Sequence, residues 1–522
     1  MKWAGRYSRI LPGPQFLLLN LALGAGHFLV LLNAGAYLPM MPYVSASLGV
    51  GISYAVWSQS DYFTAMGAAL LIANTLMRRF GPKNTAIFAY LLFAASSFAA
   101  LLSISMFPLY LAARVIQGFA AGMCIIPSFF LLLEYYNKGR QQTAISLWSL
   151  AQFVPFSVGP ALGGWFAYEW GDWRLLFVLS MVTALSVALV LWALLADWED
   201  EIDHSIRLFR SLSVFFIFFA AVLVFQEFFD VGLLSDMSSR VTELWGLFFA
   251  FMLFSWLFWF GNAEMKQPLL RFSLFSYPNY AYGMVLLSMA FMGIQGAFVQ
   301  YIIRFQQIDG YTAWHVGLLL LPVFVFSKPL SLFAQWRIKQ NMDPRILASL
   351  AFAMFASGFW WISGYERPAT WESLLAPQFL LGAALGLLFV AMTALTLGHV
   401  PKPKQLHAVN VLNTVRNLAA GLAITVSDIG WDRLLDVEKN RLVTADVSNS
   451  QRFAEFFDRS FVTHELHEKI IHESAWLAFN DFYYFLSIFF LVLAICVWLA
   501  SPPVKTKQGT DMRLVENLGE EP

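Results

Sequence analysis

Apolar runs of about 20 residues recur along almost the whole of this 522-residue chain, and the short connections between them gather its basic residues. Twenty residues at a helical rise of about 1.5 Å cover roughly the 30 Å hydrocarbon core of a bilayer. In lipid a segment must satisfy its own backbone hydrogen bonds, and barrel strands are only about 10 residues long, so runs of this length are expected to be helices. Composition agrees. The chain is 59% hydrophobic and 13% charged, against about 25% charged for an ordinary soluble protein, which leaves too little polar surface to cover a water-soluble chain. The reading is an all-α integral membrane protein.

Fourteen spans are expected, near residues 16–41, 53–77, 84–105, 108–133, 143–167, 175–196, 211–230, 241–262, 279–303, 313–336, 346–364, 373–398, 407–430 and 478–500. The first follows Lys2, Arg6 and Arg9 and is longer than a signal-peptide core, so it reads as retained. Orientation follows from Lys and Arg in the connections. With the N-terminus inside, twenty basic residues fall in inner segments, among them Arg78, Arg79, Lys83, Lys138, Arg140, Arg337, Lys339 and Arg345. The short outer connections hold only Arg174, Arg240, Arg304 and Arg367. Both termini are therefore expected in the cytoplasm, with a long polar periplasmic loop over 431–477 that is partly helical. A charged tail over 503–522 reads as disordered.

The spans group as six, two and six. This gives an N-terminal six-helix bundle over 1–197, two additional linker helices over 198–265 and a C-terminal six-helix bundle over 266–502. An internal echo supports the repeat: Gly118 and Gly122 in the fourth span correspond to Gly382 and Gly386 in the fourth span of the last six, each a small-xxx-small pair of the kind that lets helices pack closely. Repeated halves are the mark of secondary transporters, with the substrate site near the midplane between them.

Several classes are excluded or disfavoured. Lys+Arg 33 against Asp+Glu 33 removes the electrostatic footprint of a nucleic-acid binder. Cys124 and Cys496 lie far apart in apolar runs, which supports neither a disulfide framework nor a thiolate metal site. No GxxxxGK[ST] loop is present, so ATP drive is unsupported. In the outer loop His464, His467 and His472 stand three and five apart, not at the i, i+4 spacing of a zincin, and no metal or other cofactor is expected. A lipid-modifying enzyme would need a His, Asp or Cys cluster at catalytic spacing, which the sequence lacks. A sensor or scaffold would usually append a soluble domain.

Local motifs then give a resemblance. Arg114-Val115-Ile116-Gln117-Gly118 with Gly122 resembles the fourth-helix RxxQGxxxG motif of the major facilitator superfamily, and Val158-Gly159-Pro160-Ala161-Leu162-Gly163-Gly164 resembles the GPxxGG core of the fifth-helix motif of its antiporters. The six, two, six arrangement is similar to its fourteen-span drug:proton antiporters, the EmrB-like branch. Leu147-Trp148-Ser149, Gly310-Tyr311-Thr312-Ala313, and Asn413 with Arg416 add to the likeness. The loop after the second span, Asn74 to Lys83, keeps Arg79, Gly81 and Lys83 of the pattern GxLaDRxGxK but lacks its first Gly and its Asp. Pro155 replaces the leading Gly of the antiporter motif, and the first span offers His27 and Asn33 where coupled members often hold an acid. The resemblance implies proton-coupled export of small amphiphilic compounds across an inner membrane by alternating access. It also implies a periplasmic adaptor and an outer-membrane channel as possible partners. Gly159-Pro160 favours export and is implied to act as a leak barrier as well as a packing kink.

Charges inside spans are costly and are functional candidates by default. Asp61 and Arg114 lie at similar depth in the second and fourth spans, so they could pair, either for proton exchange or as a static bridge; Glu134 at the end of the fourth span is a further coupling candidate or an interface carboxylate. Lys328 could meet an anionic substrate, act as a coupling base or snorkel toward the inner interface. Arg416 and Asn413 share a helical face, for a cavity contact or helix-helix hydrogen bonding. Asn33, Gln117, Gln295 and Gln300 are the remaining cavity candidates. Glu227 and Asp230 sit on an additional helix expected at the periphery. Three intramembrane cations, Arg114, Lys328 and Arg416, keep open an organic anion or siderophore-type substrate.

Overall fold

The computed structural model describes residues 11–103, 106–136, 155, 158–196, 203, 206–234, 240–265, 267–365, 370–453 and 459–502. Outside them lie Lys2, Arg6 and Arg9, Lys138 and Arg140, Leu147-Trp148-Ser149, Arg367 and the tail 503–522. The side chains of His464 and His467 are likewise not described. Every long element is a helix, with no strand among the described residues.

The first six are α1 (Gly13–Leu48), α2 (Ile52–Phe80), α3 (Pro82–Leu102), α4 (Phe107–Glu134), α5 (described over 158–168) and α6 (Leu175–Leu194). Then come α7 (Leu208–Leu234) and α8 (Val241–Ala263), and the last set is α9 (Pro278–Ile308), α10 (Ala313–Leu319), α11 (Leu321–Lys339), α12 (Pro344–Ser363), α13 (Trp371–Leu397), α14 (Lys402–Phe453) and α15 (Arg459–Cys496). Eleven helical stretches among the described residues are long and apolar enough to cross a membrane. Of the other three expected spans, α5 is described only in part. The remaining two, α2 and α14, are less apolar, since α2 carries Asp61, Arg78 and Arg79 and α14 runs on into a charged stretch.

Two departures from the expected spans have local causes. The span at 313–336 is broken at Leu320 into α10 and α11, since Pro322 in the first turn of α11 has no N–H to continue the ladder. The long loop at 431–477 is largely helix, because α14 runs on to Phe453 and α15 begins at Arg459.

The helices alternate in direction, and we call the end where α1 begins the base and the opposite end the crown. At the base the α2–α3 turn needs Gly81, at φ 82°, a conformation open mainly to glycine. Arg78 beside it pairs with Asp203 at 2.8 Å and donates to Gln267, which ties the turn to both linking segments.

The glycine echo is one packing device used twice. A Cβ on Gly118 or Gly122 would strike the carbonyls of Tyr62 and Met66 on α2, and a Cβ on Gly382 or Gly386 would strike those of Val323 and Ser327 on α11. In each set the fourth helix thus lies backbone to backbone on the second. A Gly118→Leu variant is expected to push α4 off α2, an overpacking cost of about 1–3 kcal/mol or more. Thermal unfolding in detergent would show the drop, with Gly24→Leu, where the backbone faces open space, as the neutral control.

The additional helices differ from one another. On α8, Trp245, Phe249 and Trp256 are more than half exposed, as suits a lipid-facing surface. By contrast α7 packs on both α2 and α14.

Candidate functional site

Polar side chains inside the bundle form four groups. The first surrounds Arg114 on α4, which is fully buried. Its guanidinium donates to the side-chain oxygens of Asn33 (2.8 Å), Gln117 (2.7 Å) and Gln59 (2.5 Å) and lies over the rings of Tyr37 and Tyr62, 4.2 and 4.4 Å from their centroids. The amides are themselves fixed: Asn33 donates to Ser180, Gln117 to Ser97, and Gln59 to the Ala34 carbonyl. A cation is thus held by oriented carbonyl dipoles and aromatic faces. No carboxylate touches it among the described residues.

That arrangement corrects the expected Asp61–Arg114 pair. Depth alone suggested it, but residues of a helix turn about 100° apiece. Gln59 and Tyr62 use the α4-facing side of α2, so Asp61 points elsewhere. It accepts a hydrogen bond from Gln226 of α7 at 3.0 Å. Asn33 and Gln117, expected to line a cavity, are instead fully buried with their amides committed to Arg114 and its supports.

The second group is the seam between the two six-helix sets. Ser60 of α2 donates to the Gly421 carbonyl of α14 at 2.7 Å and shares a 3.0 Å hydrogen bond with Thr425. Gly67 and Gly421, one on each helix, permit the approach. Nearer the crown α5 meets α10: a Cβ on Gly164 would strike the Ala313 carbonyl, and one on Gly317 that of Pro160. Gly159 and Gly163 instead face α1 at Gly35 and Ala36, so the GPxxGG segment packs against both sets. A small cavity remains there, lined by Ala34, Phe63 and Pro160 from one side and Gln295, Phe298 and Leu320 from the other.

The third group surrounds Arg304 on α9. Arg304, counted among the outer connections, lies within α9 and pairs with Asp428 of α14 at 3.1 Å, their side chains 6% and 5% exposed. Gln300 and Gln307 accept from it, and Trp431 lies under it at 4.2 Å. Gln300, a cavity candidate, therefore faces Arg304 and not the gap. Reading the sequence missed Asp428, a carboxylate inside the 407–430 span. Its partner was misplaced, because α9 runs five residues beyond the expected span end at 303.

The fourth group is in the first third of α14, within the expected span at 407–430. Arg416 is partly exposed, lies between Phe291 of α9 and Phe389 of α13 at 5.3 and 5.1 Å, and makes no hydrogen bond among the described residues. Asn413, one turn earlier, is also partly exposed, and its carbonyl accepts from Asn417. Lys328 on α11 and Glu134 at the base end of α4 are partly exposed. Arg79, partly exposed, stays at the base beside Gly81.

Reading the sequence missed Gln59 and Gln226. Each is a neutral amide in an apolar run, a signal that is present but weaker than a charge. Gln226 also shows that α7 is not peripheral, although Glu227 beside it is exposed. The side chain of Asp230 lies outside the described residues. Among the described residues no three His, Cys, Asp or Glu side chains come together as a metal site.

A family model described as Major Facilitator Superfamily matches residues 23–424. Multidrug export protein EmrB of Haemophilus influenzae is 27% identical over 508 residues, 95% of this chain and 98% of that protein. Fatty acid resistance protein FarB of Neisseria gonorrhoeae is 24% identical over 512 residues, 96% and 99% of the two chains. Among solved structures, a bacterial homolog of the human lysosomal transporter Spinster, inward-facing and unoccupied, aligns with a TM-score of 0.63 at 13% identity, covering 94% of this chain and 98% of that one. At that identity the likeness is one of fold.

Proposed function

Because the chain belongs to the Major Facilitator Superfamily, we propose that it exports small amphiphilic compounds in exchange for protons, by alternating access between its two six-helix sets. Membership makes it a multi-pass membrane transporter with multidrug export relatives, and not an enzyme. In this reading 1–197 and 266–502 are the two moving units, 198–265 the additional pair, and the base faces the cytoplasm of a cell with an inner membrane.

The observation that carries the reading is the seam. The contacts of Ser60 with Gly421 and Thr425, and of Gly164 with Ala313, are made by small and hydroxyl side chains that can part and re-form. The buried groups around Arg114 and Arg304 hold each unit rigid on either side. Asp61 at the seam's edge is the proposed coupling carboxylate. The helical arms of α14 and α15 beyond residues 430 and 478 offer a surface for a periplasmic adaptor leading to an outer-membrane channel.

Inverted vesicles with an acidified interior test this. The unmodified protein is expected to accumulate ethidium, and Asp61→Asn to lose at least tenfold of the gradient-driven rate. Accumulation indifferent to the gradient would refute proton coupling.

Arg416 favours a second reading, an organic anion as substrate. A partly exposed guanidinium flanked by two phenyl rings can take a carboxylate at its edge while the rings take an apolar body. If so, Arg416→Gln should slow uptake of an anionic amphiphile at least fivefold and leave ethidium uptake within twofold.

A further inference from the structure

The side chain of Gln226 touches three residues of α2 at once. Its carbonyl accepts from Thr64 at 3.0 Å, and its amide donates to Ser60 at 2.9 Å and to Asp61 at 3.0 Å. Both amide hydrogens and the carbonyl are thereby used, and the order of donors and acceptors fixes which way the amide points. Ser60 is equally committed: it accepts from Gln226, shares a hydrogen bond with Thr425 and donates to the Gly421 carbonyl. One continuous chain of hydrogen bonds therefore runs from α7 through α2 to α14. Gln226 is buried, with 6% exposure, at a place where α7 packs on both α2 and α14.

From this geometry we infer that Gln226 is a positioning residue through which the additional helix straps the seam, holding Ser60 against α14 and Asp61 at the seam's edge. The inference rests on the reading that transport works by opening this seam. Parting α2 from α14 breaks the Ser60 bonds to Gly421 and Thr425, and Ser60 can then keep only its α7 partner. The strap thus travels with α2 and returns the Ser60 hydroxyl to its closed position. The first additional helix, α7, is in this way part of the moving machinery, not an appendage. Glutamine suits the post because it presents a donor pair and an acceptor on one planar group. Leucine of similar size has neither, and glutamate has only acceptors.

Two measurements test this. Thr425, with no exposed surface in this state, is replaced by Cys in a background where Cys124 and Cys496 are changed to Ala, and its labelling by a membrane-impermeant maleimide is timed. Adding Gln226→Leu, or separately Gln226→Glu, is expected to speed labelling at least threefold. In gradient-driven uptake the same variants are expected to lower the maximal rate at least threefold with KM within twofold, since a positioning role acts on the conformational step and not on binding. Gln226→Asn, which keeps the amide on a shorter arm, should fall between. Labelling and maximal rate both unchanged in Gln226→Leu would overturn the inference, as would an equal rise in labelling in Glu243→Leu, a change on exposed α8. Labelling needs no substrate, so absence of proton-driven uptake by the unmodified protein would refute the exchange reading while the strap is still judged by its own readout.

Discussion

An Arg114→Leu variant is expected to be the least stable single substitution in the first six helices. The change removes the donor shared by the side-chain carbonyls of Asn33, Gln117 and Gln59, and each buried acceptor left without a donor costs about 1–3 kcal/mol. It also removes the cation between Tyr37 and Tyr62. These terms are coupled and do not simply add, yet together they reach several kcal/mol, a large share of what holds most folded domains. Arg114→Lys should recover part of the loss, since an ammonium keeps the charge and three donors but puts them on one atom, without the planar fork that spreads them over two nitrogens. Fluorescence-detected gel filtration after graded heating measures this directly. Retention of the parent melting temperature in Arg114→Leu would mean that the amide nest does not carry the weight assigned to it.

The second large effect belongs to the other half. Arg304→Met strands the Asp428 carboxylate, whose side chain is only 5% exposed. Breaking a buried pair from one side costs about 3–5 kcal/mol. Removing both charges with Arg304→Met and Asp428→Leu together should be far milder, because an apolar pair of similar volume is often neutral in place of a buried ion pair. The double variant is therefore expected to melt above the single one. A double variant as unstable as Arg304→Met would point to the hydrogen bonds with Gln300 and Gln307, and not the stranded charge, as the source of the loss.

How much of this was legible in the sequence follows from which physical signals are local. Span count, helix class and the Gly118/Gly122 and Gly382/Gly386 echo depend on length, hydropathy and residue size along one chain segment, and all are visible by eye. Side-chain facing was not. The spans are apolar on every side, so periodicity gives no phase, and Asp61 was assigned to Arg114 by depth when its face turns to α7. Arg304 was counted with the loops because the apolar run stops before the helix does. Gln59 and Gln226 fell below notice because a neutral amide carries no charge to demand a partner, although each closes a network that charges alone leave open. Arg416 was legible as an intramembrane cation, but its place between two phenyl rings needed three helices to be brought together.

On the proposed function, transport proceeds by opening the seam between α2 and α14, so locking that seam shut should stop it. The Ser60 and Thr425 hydroxyls meet across the seam, 3.0 Å apart, so cysteines at both positions are expected to be joined on oxidation. In the background with Cys124 and Cys496 changed to Ala, Ser60→Cys with Thr425→Cys is expected to stop gradient-driven uptake when oxidised and to regain it on reduction, with neither single variant responding. Undiminished uptake by the fully cross-linked protein would rule out opening of this seam as the transport step.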